Sequence, residues 1–414
     1  MAKIVFVSPN FWPEKIGSAP YCTDLAVWLA QAGHDVTAVA FRPHYPSAIE
    51  FTDWQDGSRD DETVGIVAIV RVPTVRSRGS GGMASRVMND VRFLANLLRL
   101  AFAKDMAGTD AIFAFVPSSL SLFGARLLAA RTGARLIGVV HDIESGLAGS
   151  LGIAGNRLAL RTIQLVEGLA LNLPDELVVL TQGMQEELLR LKCTRPIRVM
   201  PLWCNEPVAD EAQPAEKFTV SYSGNFGKKQ NLDQLLPVFA MLQTKRPDVE
   251  VHLRGDGSER QRLEQAIVAQ DLRNTTFHPL VPNDRLIATI QSAHVHLVPQ
   301  APNIGNYAIP SKVYSIMSAG RPFICIAEAD TELASLAVTS GAGICVAPNN
   351  PTAVFAAIDG LVNDRDRVKA MGANAKQYVR SKLNRTQIFE EYASLVKPPA
   401  SGTGSLRTAS NPLR

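Results

Sequence analysis

Short, unbroken apolar runs alternate with longer amphipathic stretches along the chain. KIVFVSP (3–9) is β-branched and aromatic and stops at proline, the pattern of a strand buried on both faces. YCTDLAVWLAQAGH (21–34) predicts a helix with Leu25, Trp28 and Leu29 on one face and Gly33 as its stop. DVTAVAF (35–41) is a second strand, and the β-loop-α-β unit predicts a parallel sheet. Further strands are expected at 64–72, 111–116, 135–140 and 176–181, with helices at about 84–104, 120–132 and 156–171. Proline and acidic residues collect in 198–217, and the inter-domain linker is placed there, at 206–217. The same grammar then restarts. Strands are expected at 218–224, 249–255, 275–278, 294–298, 323–327 and 343–347, with no residue-level repeat of the first half.

This order predicts two doubly wound parallel α/β domains, 1–205 and 218–375. A C-terminal helix (376–396) is expected to turn back toward the first domain, and the apolar-poor tail (397–414) to be disordered. Ligands of such sheets sit outside the carboxyl ends of the strands, so the informative loops are 9–20, 141–150, 224–230, 255–258, 279–283 and 299–311.

Composition narrows the function classes. Net charge is +3, from 42 basic and 39 acidic residues, which does not call for nucleic acid as a partner. The five cysteines form no CxxC pair and read as reduced cytosolic thiols, neither a disulfide framework nor a zinc site. The first apolar run is too short for a signal peptide, and no run approaches the roughly 20 residues of a membrane span. The expected location is cytoplasmic, with any membrane contact peripheral.

Several loops could carry chemistry. SGNFGKKQNLD (223–233) places Lys228 and Lys229 beside an expected helix start, which suits a diphosphate but also fits a solvated βα loop. IPSKVYSIMSAGRPF (309–323) predicts a two-turn helix with Ser311 as N-cap, leaving N–H groups free near Lys312. An anion at that end and a snorkelling lysine are both open readings. RGDGSER (254–260) is a glycine turn that lets backbone approach a flat or charged ligand, or a plain turn. GVVHDIES (138–145) ends a strand with His141, Asp142 and Glu144. Gly17 and Ser18 precede the first helix. His294 and His296 alternate on a strand and read as structural, and no metal constellation or GxSxG elbow is present.

Taken together, SPNFWPEKIGSAPY, LAQAGHDVTAVAFRPHYP, VHDIE, PLWCNE, YSGNFGKKQNLD, LRNTTFHPL, IPSKVYSIMSAGRP and DTELASL resemble glycosyltransferase family 4. They run in family order over about residues 3–365. The likeness is greatest to the branch that serves colanic acid biosynthesis, for which fucosyl transfer is proposed. The resemblance implies the GT-B fold, two Rossmann-like domains facing across a cleft, and retaining, metal-independent transfer from a UDP- or GDP-sugar. No cofactor is implied beyond that donor.

It assigns the donor diphosphate to Lys229 and to the N–H groups of Ser311, Lys312 and Val313. It puts His141 at the donor sugar, and Gly17 and Ser18 at the reaction centre and acceptor side. The nucleobase falls to Gly255, Asp256, Gly257, Leu280 and Val281. The wider family has two glutamates eight residues apart, the second binding ribose; here these positions hold Tyr307 and Ser315.

The implied acceptor is a polyprenyl-diphosphate-linked glycan of exopolysaccharide or O-antigen synthesis at the inner membrane face. Segment 84–104 adds an apolar stripe (Val87, Val91, Leu94, Leu98, Phe102) with Arg92 and Arg99 on another face, which fits a membrane surface or a core-facing helix. Two alternatives remain: a nucleotide-sugar 2-epimerase using Asp142, Glu144 and His141, and a non-catalytic partner subunit.

Overall fold

A computed structural model describes residues 1–15, 17–44, 48–74, 83–116, 118–152, 156–204 and 214–396. The tail (397–414) and most of the expected linker (206–213) lie outside the described residues. The first eight strands are β1 (Lys3–Val7), β2 (Asp35–Phe41), β3 (Asp61–Val64), β4 (Val67–Val72), β5 (Ala111–Val116), β6 (Arg135–Val140), β7 (Glu176–Val179) and β8 (Ile197–Val199). They form one sheet in the order β3-β4-β2-β1-β5-β6-β7-β8. Only β3–β4 is antiparallel among its pairs. Six more, β9 (Phe218–Ser223), β10 (Val249–Arg254), β11 (Thr275–His278), β12 (Val295–Pro299), β13 (Phe323–Ile326) and β14 (Gly343–Val346), form a second, parallel sheet. Its order is β11-β10-β9-β12-β13-β14.

The unbroken apolar runs have a direct cause. Ile4 and Phe6 of β1 belong to the core on one face of the first sheet, Val5 and Val7 to that on the other, and all four are 0% exposed. Each such side chain contributes about 1.5–3 kcal/mol by burial. Helices α1 (Ala19–Gln31), α2 (Met83–Leu100), α3 (Ser121–Thr132), α4 (Glu144–Ser150), α5 (Arg157–Leu171) and α6 (Gln182–Arg190) belong to the first sheet. The second carries α7 (Leu236–Lys245), α8 (Arg260–Ala269), α9 (Asn283–Gln291), α10 (Lys312–Ser318), α11 (Glu332–Ser340), α12 (Pro351–Asn363) and α13 (Arg365–Lys382). The larger core continues from one sheet to the other, joining Leu202 and Cys204 to Val313, Tyr314 and Met317.

The last helix, α14 (Arg385–Ser394), packs on the first sheet's side. Phe389 meets Trp28 at 5.3 Å and Trp203 at 4.6 Å between ring centroids, and Arg385 pairs with Asp24. Where the chain makes this return, Cys204 N–H donates to Leu383 O at 3.5 Å.

Three expectations need correction. The run 64–72 is not one strand but the turn and second strand of a hairpin. Gly65, at φ +59°, takes the first central position of the two-residue turn. The loop 141–150 contains α4, whose two glycines, Gly146 and Gly149, hide its helical character. Neither α6 nor β8 was expected. A Thr181 N-cap, accepting from Met184 N–H at 3.1 Å, was the available signal for α6.

Candidate active site

At the carboxyl end of the second sheet, two crossover loops are pressed together. Gly255 (φ +147°) and Gly257 (φ +151°) follow β10, and a Cβ on either would overlap the backbone of the 224–226 loop. Phe226 N–H donates to Asp256 O at 2.8 Å, and Glu259 N–H to Phe226 O at 2.9 Å, so the loops form one rigid edge. Leu280 and Val281 lie just past neighbouring β11, where Arg254 Nη1 donates to Pro279 O at 2.7 Å. Leu280 is exposed.

Lys228 and Lys229 do not stand at a helix start. They lie in a single 3-10 turn (Lys228–Gln230), and α7 begins only at Leu236. The expected helix dipole is therefore missing beside Lys229, whose Nζ instead reaches across the cleft to Asp142 Oδ2 at 3.3 Å. Both side chains remain partly exposed, at 37% and 42%. Protein packed around the cleft still desolvates the Asp142 carboxyl and pushes it above its ordinary value, against the pull of Lys229.

Helix α10 also departs from expectation. Ser311 occupies the N-cap position in helical geometry, and its hydroxyl makes no cap bond. The Val313 amide is already used, donating to Pro310 O at 3.1 Å. The Ser311 and Lys312 amides have no acceptor among the described residues. Lys312 Nζ is buried, without a hydrogen-bond partner, 3.8 Å from the centroid of the Tyr222 ring. Burial pushes this ammonium down from 10.5 to about 7. Gly224 leaves room for it, since a Cβ there would come 2.9 Å from Nζ. Ser315 is half-buried one turn farther along α10.

The first sheet supplies the facing wall. His141 follows β6, with its ring 5.4 Å from Phe115 and 6.0 Å from Tyr21. Its Nε2 is buried without a partner, and burial lowers the imidazole to about 4, so it is neutral at pH 7. Gly17 (φ +70°) and Ser18 lead into α1, and Ser18 Oγ is likewise buried and unsatisfied. Such groups ordinarily cost about 1–3 kcal/mol each. His141 and Ser18 of one sheet and Lys312 of the other thus present unpaired polar atoms near the strand ends. The Asp142–Lys229 contact brings the two walls together.

Glu144 is not part of this wall. Its carboxylate accepts from Ser119 N–H at 3.0 Å and Ser119 Oγ at 2.7 Å, and burial pushes it up to about 7. His294 Nδ1 accepts from Thr219 N–H at 3.0 Å, and His296 Nε2 lies 2.9 Å from Ile290 O, which fits their structural reading. Sequence reasoning missed Tyr222 and Tyr21; nothing local links a strand tyrosine to a lysine in another loop. A hollow of about 240 Å³ between the 227–233 loop and α8 is lined by Lys228 but by none of the residues that the resemblance assigns to the donor, so the candidate site is the open cleft itself. Among the described residues no cluster of three or more metal-ligating side chains occurs.

Two family models match consecutive parts of the chain: "Glycosyl transferase 4-like domain" over residues 17–203 and "Glycosyl transferases group 1" over 206–378. WcaI of Escherichia coli (strain K12), a glycosyl transferase named for colanic acid biosynthesis, is 26% identical over 95% of this chain and 100% of its own length. Among solved structures, sucrose-phosphate synthase from Thermosynechococcus elongatus superposes with a TM-score of 0.76 at 20% identity, covering 95% of this chain and 98% of that one. Anabaena HepE, solved with UDP and glucose, gives 0.67 at 14% identity over 95% and 99%. These likenesses fix the architecture as GT-B.

Proposed function

Since this chain belongs to the group 1 glycosyltransferases of family 4, retaining enzymes that need no metal, we propose the following division of labour in its cleft. Lys312 Nζ, Lys229 Nζ and the Ser311 and Lys312 amides hold the donor diphosphate. The Val313 amide takes no part. Neutral His141 exchanges a hydrogen bond with a donor-sugar hydroxyl. Gly17 and Ser18 face the acceptor, Ser315 the ribose, and the rim formed by Gly255, Asp256, Gly257, Leu280 and Val281 the base.

In the reaction the bond from the anomeric carbon to the diphosphate oxygen breaks. The acceptor hydroxyl bonds to the same face of that carbon, and its proton passes to the departing oxygen. Negative charge grows on the diphosphate, and the two lysines and amides stabilise it where it forms.

The single observation that carries this reading is the Lys312 ammonium, buried, unpaired and set at the strand ends of the second sheet. An amine held there takes its charge at low cost only beside an anion. The test is a melting-temperature panel with UDP, GDP and their sugars, followed by kinetics of Lys229→Ala. One nucleotide should stabilise the protein, since ligands of the native state raise its melting point. The variant should lose about 100-fold or more in kcat/KM. Full activity in Lys229→Ala would overturn the assignment.

For the acceptor we propose a polyprenyl-diphosphate-linked glycan at an anionic membrane face. What supports this is α2. The core takes Phe93 and Leu97, at 1% and 0% exposure, while Val87, Val91, Leu98 and Phe102 of the apolar stripe stand exposed at 50%, 47%, 39% and 65%. The helix thus faces the core through Phe93 and Leu97, while of the stripe itself only Leu94 is half-buried, beside Gly124 of α3. Arg92 and Arg99 flank it, and the Arg86 side chain lies outside the described residues. Among the described residues no helix is long and apolar enough to cross a membrane. Liposomes of anionic lipid should co-sediment with the protein and release it when Arg86, Arg92 and Arg99 become glutamate. Unaltered sedimentation would refute the membrane reading.

A further inference from the structure

Gly146 and Gly183 sit in the first turns of α4 and α6, and neither has a backbone conformation that demands glycine. Glycine inside a helix is disfavoured relative to alanine. Space explains both. A Cβ on Gly146 would overlap the Tyr307 ring, and a Cβ on Gly183 would overlap the Asn306 amide. Consecutive residues of the second domain thus fill two notches in helices of the first.

The segment that carries them is braced. Ala301 N–H donates to Lys229 O at 2.7 Å, Tyr307 N–H to Ile304 O at 3.2 Å, and Gln300 Nε2 to Ala308 O at 3.0 Å. Asn306 Oδ1 accepts from Glu332 N–H at 2.9 Å, which fixes the amide against α11. Tyr307 also bonds across the gap through its main chain: its carbonyl accepts from Ile143 N–H at 2.9 Å, two residues from His141. The same short segment therefore grips the Lys229 loop on one side and the His141 loop on the other.

We propose that Asn306 and Tyr307 are positioning residues. Seated on Gly183 and Gly146, they set how far the two domains close, and so the separation at which His141 meets a donor held by Lys229 and Lys312. The proposal rests on the donor-site assignment above. It gives the tyrosine, at the place where relatives carry the first glutamate, a protein-facing task. The phenol lies toward α6, within the influence of Glu187 and Arg190, and not alone in the cleft.

The test is Gly146→Ala, a change that favours α4 by itself, so lost activity cannot be read as lost helix. X-ray scattering with nucleotide present, nucleotide affinity and donor turnover are measured together. The expected result is a larger radius of gyration, a UDP or GDP Kd within about twofold of the parent, and kcat lower by about tenfold or more. The double variant Gly146→Ala/Tyr307→Ala, which removes the overlap, should recover several-fold of that kcat and the compact radius. Gly183→Ala should behave like Gly146→Ala.

Unchanged radius and kcat in both glycine variants would overturn the proposal. So would a Tyr307→Ala variant whose defect is weakened nucleotide binding, with no rescue in the double variant. If the parent protein binds neither nucleotide, the donor-site assignment falls. The scattering comparison then still decides whether the notches set domain closure.

Discussion

Replacing Lys312 by methionine separates stability from function at a single atom. The ammonium is buried with no acceptor and has fallen from 10.5 to about 7. At about 1.36 kcal/mol per pH unit, that fall corresponds to roughly 5 kcal/mol of cost in the empty protein when the group is charged. The Tyr222 face, 3.8 Å away, returns about 1–2 kcal/mol of it.

Methionine fills similar space without charge, so Lys312→Met should stabilise the second domain by about 3–4 kcal/mol below pH 7, the difference of those two terms. The sign with pH follows from the lowered value. Between about 7 and 10.5 the unfolded chain holds a proton that the folded one has lost, so the parent gains stability as pH rises. The advantage of the variant is therefore full below pH 7 and vanishes toward pH 10.5.

Binding runs the other way. A bound diphosphate needs the charged form, which is about half of the free protein at pH 7 and about one part in a hundred at pH 9. Nucleotide affinity in the parent should fall by tens-fold over that range, with close to one proton taken up per ligand at pH 8. Titration calorimetry in buffers of different ionisation heat reads both. Flat affinity from pH 7 to 9, or a Lys312→Met variant that binds as well as the parent and melts no higher, would refute the reasoning.

Two further outcomes are expected. Ser315→Glu restores the carboxylate that relatives use for ribose, and should tighten nucleotide binding several-fold in calorimetry, since charged acceptors hold hydroxyls more strongly; unchanged or weaker binding would show that this position does not face the ribose. Glu144, raised to about 7 by burial, holds a proton in the folded chain that the unfolded one loses above about 4.5, so its contribution declines as pH climbs from 4.5 to 7. Glu144→Gln should accordingly melt higher than the parent at pH 8, and the difference should shrink at pH 5.

Strand β1 shows what a sequence reveals well. Four consecutive apolar residues can be dry only if both faces are covered, and they are. The run 64–72 shows the limit: the same apolar continuity masked a turn, because Gly65 alone carries the reversal. In the cleft, residue types pointed to loops that the structure gathers at the strand ends, and resemblance gave them expected roles. The hydrogen-bond state of each amide was not legible. Ser311 has a capping side chain that makes no cap bond, and Val313 has an amide already engaged. Tyr222 under Lys312 and Tyr307 over Gly146 are contacts between distant segments, and a one-dimensional pattern has no period that records them.

The return of α14 has a mechanical consequence. The chain passes between the sheets near Cys204 and again near Leu383, and the two passages touch. Side by side, they define one hinge axis and forbid the free tumbling that a single tether would permit. That geometry favours opening by rotation about the line, with the Trp203–Phe389 ring contact at its foot. A cut between Lys382 and Arg385 would leave both sheets intact and abolish the axis.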